Sequence, residues 1–226
     1  MNQRSTKKIA VILNGSGHRD GSEIHEAVLT LLGIEEAGAT WEVLALSEPQ
    51  ARVVNHVTGK EQSGKRDMLE ESARIARGRI KDLSDARAVD YDAVIIPGGS
   101  GTAANLCDFA TRGAGMNVHI AVARFLEDAH KAGKPIGAVC IAPMILARVF
   151  GRLGVTLTLG DEMNDAAKAA RELGCQVKAC DAEGIIVDRA NKLVTTPAYM
   201  TDAGVAGISK GIRSLAREIV AMTNAS

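Results

Sequence analysis

Charge of one sign is not in excess in this chain: Lys plus Arg number 27, and so do Asp plus Glu. Without a positive excess there is no field to draw in a phosphate backbone or an anionic bilayer, so no nucleic acid and no membrane partner is expected. No apolar run approaches the roughly 20 residues needed to cross a bilayer. The opening MNQRSTKK runs into the strand-like IAVIL with no cleavage-site pattern, which sets a cytoplasmic location as the expectation. Cys107, Cys140, Cys175 and Cys180 include no CxxC pair, and Cys175 with Cys180 lacks the companions of a structural zinc site, so the four read as reduced thiols. There is no HExxH, and the histidines His18, His25, His56, His119 and His130 lack metal-ligand spacing; no metal is expected. Internal repeats, low-complexity tracts and domain linkers are missing too, and residues 1–226 are read as one domain.

What the chain does have is a hydrophobic content of 46%, enough for a substantial core, in an alternation of short β-branched runs with longer stretches of helical period. That order predicts an α/β three-layer sandwich, a mostly parallel flavodoxin-like sheet with helices on both faces. Strands are expected at Ile9 to Leu13, Trp41 to Leu46, Ala93 to Ile96, Ile136 to Val139 and Leu157 to Leu159. A late pair, Ile185 to Asp188 and Leu193 to Thr196, flanks Arg189-Ala190-Asn191 as a hairpin. Core-facing helical stripes are read at Ile24, Val28, Leu31 and Leu32; at Val118, Val122, Phe125 and Ala129; and at Ile208, Ile212, Leu215, Ile219 and Met222. No stripe looks surplus to the core. The polar stretch 53–79 is read as an excursion from the sheet.

Three segments can carry chemistry. In Gly137-Ala138-Val139-Cys140-Ile141-Ala142-Pro143 a cysteine sits where an apolar strand meets a helical stretch, the layout of a nucleophile elbow. Unpaired N–H groups and the helix dipole there favour thiolate over thiol, and Pro143 suits the first helical turn. The plainer reading of Cys140 is a small buried hydrophobe. In Ile95-Ile96-Pro97-Gly98-Gly99-Ser100-Gly101 the glycines let backbone N–H groups come close to an oxyanion, so Gly98 and Gly99 with the N–H of Ile141 make a candidate oxyanion hole; an ordinary glycine turn is the alternative. The third segment, Asn14 to Glu23, contains GxGxxxG, one residue too long for the dinucleotide fingerprint, and no cofactor is expected. Glu23 fits a capping box opened by Asp20. It also follows a strand of the same sheet edge as Cys140, where a carboxyl group beside a thiol can work as general acid and base.

Taken together, NGSGHRDGSEIHEAVLTLL (14–32), VVNHVTG (53–59), ESARIARG (71–78), IIPGGSGTAANL (95–106), KPIGAVCIAP (134–143) and VTTPAYM (194–200) resemble the ThiJ/PfpI branch of the class I glutamine amidotransferase-like superfamily. The resemblance is closer to its ElbB subgroup, described as glyoxalase-like and linked to isoprenoid biosynthesis. It implies Cys140 as nucleophile, Glu23 as the carboxyl group facing it, a small reactive carbonyl as substrate, no cofactor and a homodimer. The activity implied is glutathione-independent conversion of glyoxal to glycolate, and of methylglyoxal to lactate. Many relatives carry His directly after the elbow cysteine; here that residue is Ile141. The stretch Thr195 to Met200 lies where the glutamine amidotransferases supply a His and a Glu, and it has neither, which disfavours glutamine hydrolysis and proteolysis. Two other readings stand beside the enzyme. One is a redox-sensing or regulatory protein with a reactive but non-catalytic elbow cysteine; the other is a binding protein for an isoprenoid intermediate.

Overall fold

The structure is a computed structural model of the chain and describes residues 6–224. Its elements run β1 (Lys8–Ile12), α1 (Ile24–Glu36), β2 (Thr40–Ala45), α2 (Met68–Ala76), β3 (Ile80–Asp82), β4 (Ala93–Ile96) and the short turns α3 (Thr102–Asn105) and α4 (Phe109–Arg112). There follow α5 (Ile120–Lys131), β5 (Ile136–Val139), α6 (Pro143–Phe150), β6 (Thr156–Leu157), α7 (Asp165–Glu172), β7 (Gln176–Val177), β8 (Ile186–Asp188), β9 (Leu193–Thr196) and α8 (Val205–Thr223). The main sheet has seven strands in the order β3-β2-β1-β4-β5-β9-β8. All neighbours are parallel except β8, which pairs antiparallel with β9 as the expected hairpin.

The central strands are apolar along their whole length because helices cover both faces. Along β1, Ala10 and Ile12 face one core, shared with Phe125 and Leu126 of α5 and Ile145 and Leu146 of α6. Ile9 and Val11 face the other, shared with Ala27, Leu31 and Ile34 of α1 and the α8 residues Ile208, Ile212, Leu215, Ile219 and Met222. The α8 stripe is therefore as expected. At the α1–α8 contact Gly33 is required by closeness: a Cβ there would come 3.0 Å from the Cβ of Ala216.

Four expectations need correcting. The α1 stripe is rotated: Ile24, Val28 and Leu32 are exposed, while the buried face carries Glu26, Ala27, Thr30, Leu31, Gly33 and Ile34. Small residues face inward there because α8 packs so close, and the larger ones are left outside as a strip surplus to the core. Of the strand expected at Leu157 to Leu159 only Leu157 lies in one: Thr156–Leu157 stays out of the main sheet and pairs with β7 as a separate two-stranded ribbon. The 53–79 excursion contains α2, capped by Asp67 through Leu69 N–H (2.8 Å), and leads into β3, an edge strand too short and mixed to read as one in the sequence. Lastly, the strand-like Ile185 stays outside β8.

Truncating Leu215 to Ala, inside the α1–α8 core, is expected to cost roughly 2–5 kcal/mol, whereas Val28→Ala on the exposed strip should change stability by less than about 0.5 kcal/mol. Urea unfolding of the two variants checks this; equal shifts in midpoint would show that α1 has been placed with the wrong face inward.

Candidate active site

Cys140 leaves β5 with φ +60°, a left-handed conformation that costs a non-glycine residue on the order of 1–3 kcal/mol. The turn is pinned on both sides: Cys140 N–H donates to Thr196 O on β9 (2.9 Å), and Ala142 N–H donates to Val139 O (3.0 Å). Pro143 then opens α6 at its first position, where a missing N–H does no harm. The elbow read from the sequence is thus present, and it turns the thiol back over the end of the sheet.

Two loops close on it. Glu23 is the N-cap of α1, its Oε2 accepting from Glu26 N–H (2.7 Å). The helix thus starts one turn later than a capping box opened by Asp20 would place it. Glu23 N–H donates to Gly98 O (2.9 Å), and Gly98 N–H donates to Glu26 Oε2 (2.9 Å). A Cβ on Gly98 would stand 2.6 Å from Cys140 Cβ and 2.9 Å from Glu26 Oε2, so only glycine admits the carboxyl and the thiol side by side. Behind them Asn14 Nδ2 donates to Ser22 Oγ (3.0 Å) and Thr102 Oγ1 (2.8 Å), tying the first loop to the glycine loop.

The carboxyl group against the thiol is Glu26, where Glu23 was expected. Glu26 is fully buried beside Cys140 and the Tyr199 backbone N–H. Burial, reinforced by the charge of Glu23, pushes its pKa up to about 8. Oε1 accepts no conventional hydrogen bond. Glu23 instead lines the pocket wall, with His25 Nδ1 at 3.8 Å from Oε1. The rotated α1 stripe is why sequence reasoning missed Glu26. Its spacing with Thr30 and Ile34 marks the buried face, but Ile24, Val28 and Leu32 gave the stronger apolar signal.

The thiol itself departs from expectation. Backbone N–H groups of Gly99 and Ile141 lie at the sulfur and favour its anion, but burial and the neighbouring Glu26 outweigh them and push the Cys140 thiol well up. The expected bias toward thiolate is therefore reversed: burial favours the protonated form of the thiol, as it does of the neighbouring carboxyl. Of the three N–H groups expected to form an oxyanion hole, those of Gly99 and Ile141 lie at the sulfur, whereas that of Gly98 donates to Glu26.

These groups open on a pocket of about 490 Å³, within the range of roughly 300–1,000 Å³ usual for small-molecule sites. Cys140, Ile141 and Gly99 lie beside Glu23, His18 and Ser100, and apolar walls come from Phe109 and Met200. Arg52, at the start of the excursion, also reaches the pocket. The His18 ring packs edge-on against His56 (centroids 5.0 Å apart), and burial first, then His56 and Arg19, lower its pKa. A wider surface groove between Leu83 and α5 holds none of these groups.

The chain matches the DJ-1/PfpI family over residues 18–203. It belongs to that family. Among relatives, it is 39% identical to human glutamine amidotransferase-like class 1 domain-containing protein 3, mitochondrial, over 97% of this chain and 85% of that protein. The zebrafish (Danio rerio) ES1 protein, mitochondrial, is 33% identical over 95% and 86%. Among solved structures, an isoprenoid biosynthesis protein with an amidotransferase-like domain from Ehrlichia chaffeensis superposes with a TM-score of 0.89 at 30% identity, covering 96% of this chain and 99% of that one. The mostly parallel sheet flanked by helices is the flavodoxin-like fold of the DJ-1/PfpI family, and with it the chain falls in the class I glutamine amidotransferase-like superfamily.

A buried acid whose pKa is raised above its unfolded value of 4.5 keeps its proton preferentially in the folded state. Its contribution is therefore fully present below that value and is lost as pH rises through about 8. Wild-type unfolding free energy is expected to decline across that window, and Glu26→Gln to flatten the decline. Denaturant titrations at several pH values measure both; parallel curves would mean that Glu26 is ionised in the folded protein at neutral pH.

Proposed function

We propose that this protein is a glutathione-independent glyoxalase-type enzyme of the ElbB subgroup, converting glyoxal, and methylglyoxal, to the 2-hydroxy acid through a Cys140 hemithioacetal. The observation that carries the reading is a thiol held against a buried carboxyl, with two backbone N–H groups at the sulfur and a second carboxyl on the wall of the same pocket. Two carboxyl groups in one site, one buried and one on the pocket wall, can divide acid and base work between them.

In this mechanism ionised Glu26 takes the thiol proton as sulfur attacks the aldehyde carbon, and then delivers it to the carbonyl oxygen, giving the hemithioacetal. The Gly99 and Ile141 N–H groups are the donors nearest the developing oxyanion. Glu23 removes the proton from the former aldehyde carbon and returns it to the neighbouring carbon through an enediol, leaving a thioester. Water hydrolyses the thioester, freeing the hydroxy acid and the thiol; the net change is the addition of one water. No oxidant or reductant takes part.

The family includes glyoxalase-like and regulatory members, so the sensor reading deserves comparison. A peroxide sensor needs a thiolate, and the burial that raises the Cys140 thiol weighs against it. The carbonyl reading needs no standing thiolate, because ionised Glu26 takes the thiol proton as the bond forms. An isoprenoid connection rests on the name of the Ehrlichia protein. A homodimer remains part of the proposal, supported by the exposed strip Ile24, Val28 and Leu32. No helix among the described residues is long and apolar enough to cross a membrane. The mitochondrial designation of the curated relatives lends nothing to a cytoplasmic location.

Loss of glyoxal and methylglyoxal without glutathione, followed side by side, tests the proposal. Cys140→Ala should abolish conversion, and Glu23→Gln should lower kcat by roughly 100-fold or more. Wild-type kcat/KM should climb with pH and level off above about 8 as Glu26 ionises, while Glu26→Gln loses both rate and pH dependence. Conversion that persists in Cys140→Ala would sink the proposal.

A further inference from the structure

A two-carbon dialdehyde has four heavy atoms, and a pocket of about 490 Å³ leaves most of its volume beyond such a substrate. The side chains there are not neutral filler. Arg52 is the only permanently charged cation lining the pocket among the described residues, since His18 is pushed toward its neutral form by burial and by His56 and Arg19. The Arg52 guanidinium has no carboxylate within ion-pairing distance among the described residues; its recorded hydrogen bond runs from Nη2 to the backbone oxygen of Arg19 (3.0 Å). One of five N–H donors is thus used to hold the fork against the first loop, and the rest are free for a ligand.

The position of Arg52 is itself secured. Val54 N–H, two residues on, donates to the buried Asp20 carboxylate (2.7 Å), Ala51 N–H donates to Asn105 Oδ1 (2.8 Å), and the Gln50 amide donates to Asp20 O. The segment bearing the cation is clamped to the loops that bear Glu23 and Gly99. An anion in this pocket meets the carboxylate of Glu23, and only a matching cation makes its entry favourable; a guanidinium fork suits a carboxylate or phosphate through paired N–H donors.

We propose that the substrate is a 2-oxoaldehyde bearing an anionic substituent, a carboxylate or a phosphate, and that Arg52 binds this group while the aldehyde carbon lies at Cys140. The inference rests on the glyoxalase reading for its chemistry. The reaction stays balanced as before, oxoaldehyde plus water giving 2-hydroxy acid, with the anionic group unchanged.

Turnover of 4,5-dioxopentanoate and of 3-phosphooxy-2-oxopropanal would be compared with that of methylglyoxal, in wild type, Arg52→Ala and Arg52→Lys. Binding of the product 2-hydroxyglutarate and of its uncharged dimethyl ester would be measured by calorimetry on Cys140→Ala, with and without the Arg52→Ala change. The expected result is a kcat/KM at least about tenfold higher for one anionic substrate than for methylglyoxal, equivalent to about 1.4 kcal/mol. That ratio should collapse toward one in Arg52→Ala and be only partly kept by Arg52→Lys. Preference for the carboxylate or for the phosphate identifies the anion. Arg52-dependent binding of 2-hydroxyglutarate without turnover of any oxoaldehyde would uphold the anion subsite and overturn the glyoxalase reading. Equal turnover of charged and neutral substrates, unaffected at position 52, would overturn the inference and leave that reading standing. Neither binding nor turnover would overturn both.

Discussion

Glu26 and Cys140 are buried side by side, and the chemistry of the site follows from that burial. Desolvation penalises both anions and pushes both groups toward their protonated forms, and the two titrate as a pair. Much of the architecture serves to bring the two together. β5 and β9 hold the elbow in a strained φ, the N-terminus of α1 delivers the carboxyl, and the missing side chain at Gly98 leaves room for both. Two carboxyl groups three residues apart on one helix receive different environments, one inside the core and one at the pocket wall.

Apolar periodicity carried most of the fold in the sequence. The strands that are buried on both faces announced themselves as continuous hydrophobic runs, and the five α8 positions from Ile208 to Met222 fell on the inward face as spaced. The elbow was legible because an apolar strand, a cysteine and a proline at the first helical position occur in immediate succession. β3 and β7 were not, since short strands of mixed polarity have no period to detect. The rotation of α1 was hidden by a competition between hydrophobicity and size: close packing on α8 selects Ala27 and Gly33, and the larger Ile24, Val28 and Leu32 go outward. With that face misjudged nothing drew attention to Glu26, and Glu23 was singled out by its place after a strand of the same sheet edge as Cys140. The lowered thiol pKa failed for a related reason, because spacing shows the helix terminus but not how deeply it is buried.

Arg52 illustrates a different limit. Nothing in Gln50-Ala51-Arg52-Val53 signals a pocket; its placement comes from long-range hydrogen bonds through Asp20 and Asn105 that only the folded chain displays. The residue just before the polar excursion thus supplies a wall of the site, and a guanidinium at one place in a pocket is invisible to a sum of charges that comes to zero.

The backbone-to-backbone crossing of the first loop with the glycine loop bears also on how the molecule assembles. Asn14 and Thr102 are 88 positions apart in the chain, and the glycines at 21, 99 and 101 let the two loops touch with no side chain between them. Contacts of such sequence separation carry a loop-closure cost and add to the non-local share of the fold. A chain in which the two loops have not yet met leaves Cys140 open to solvent and to oxidation.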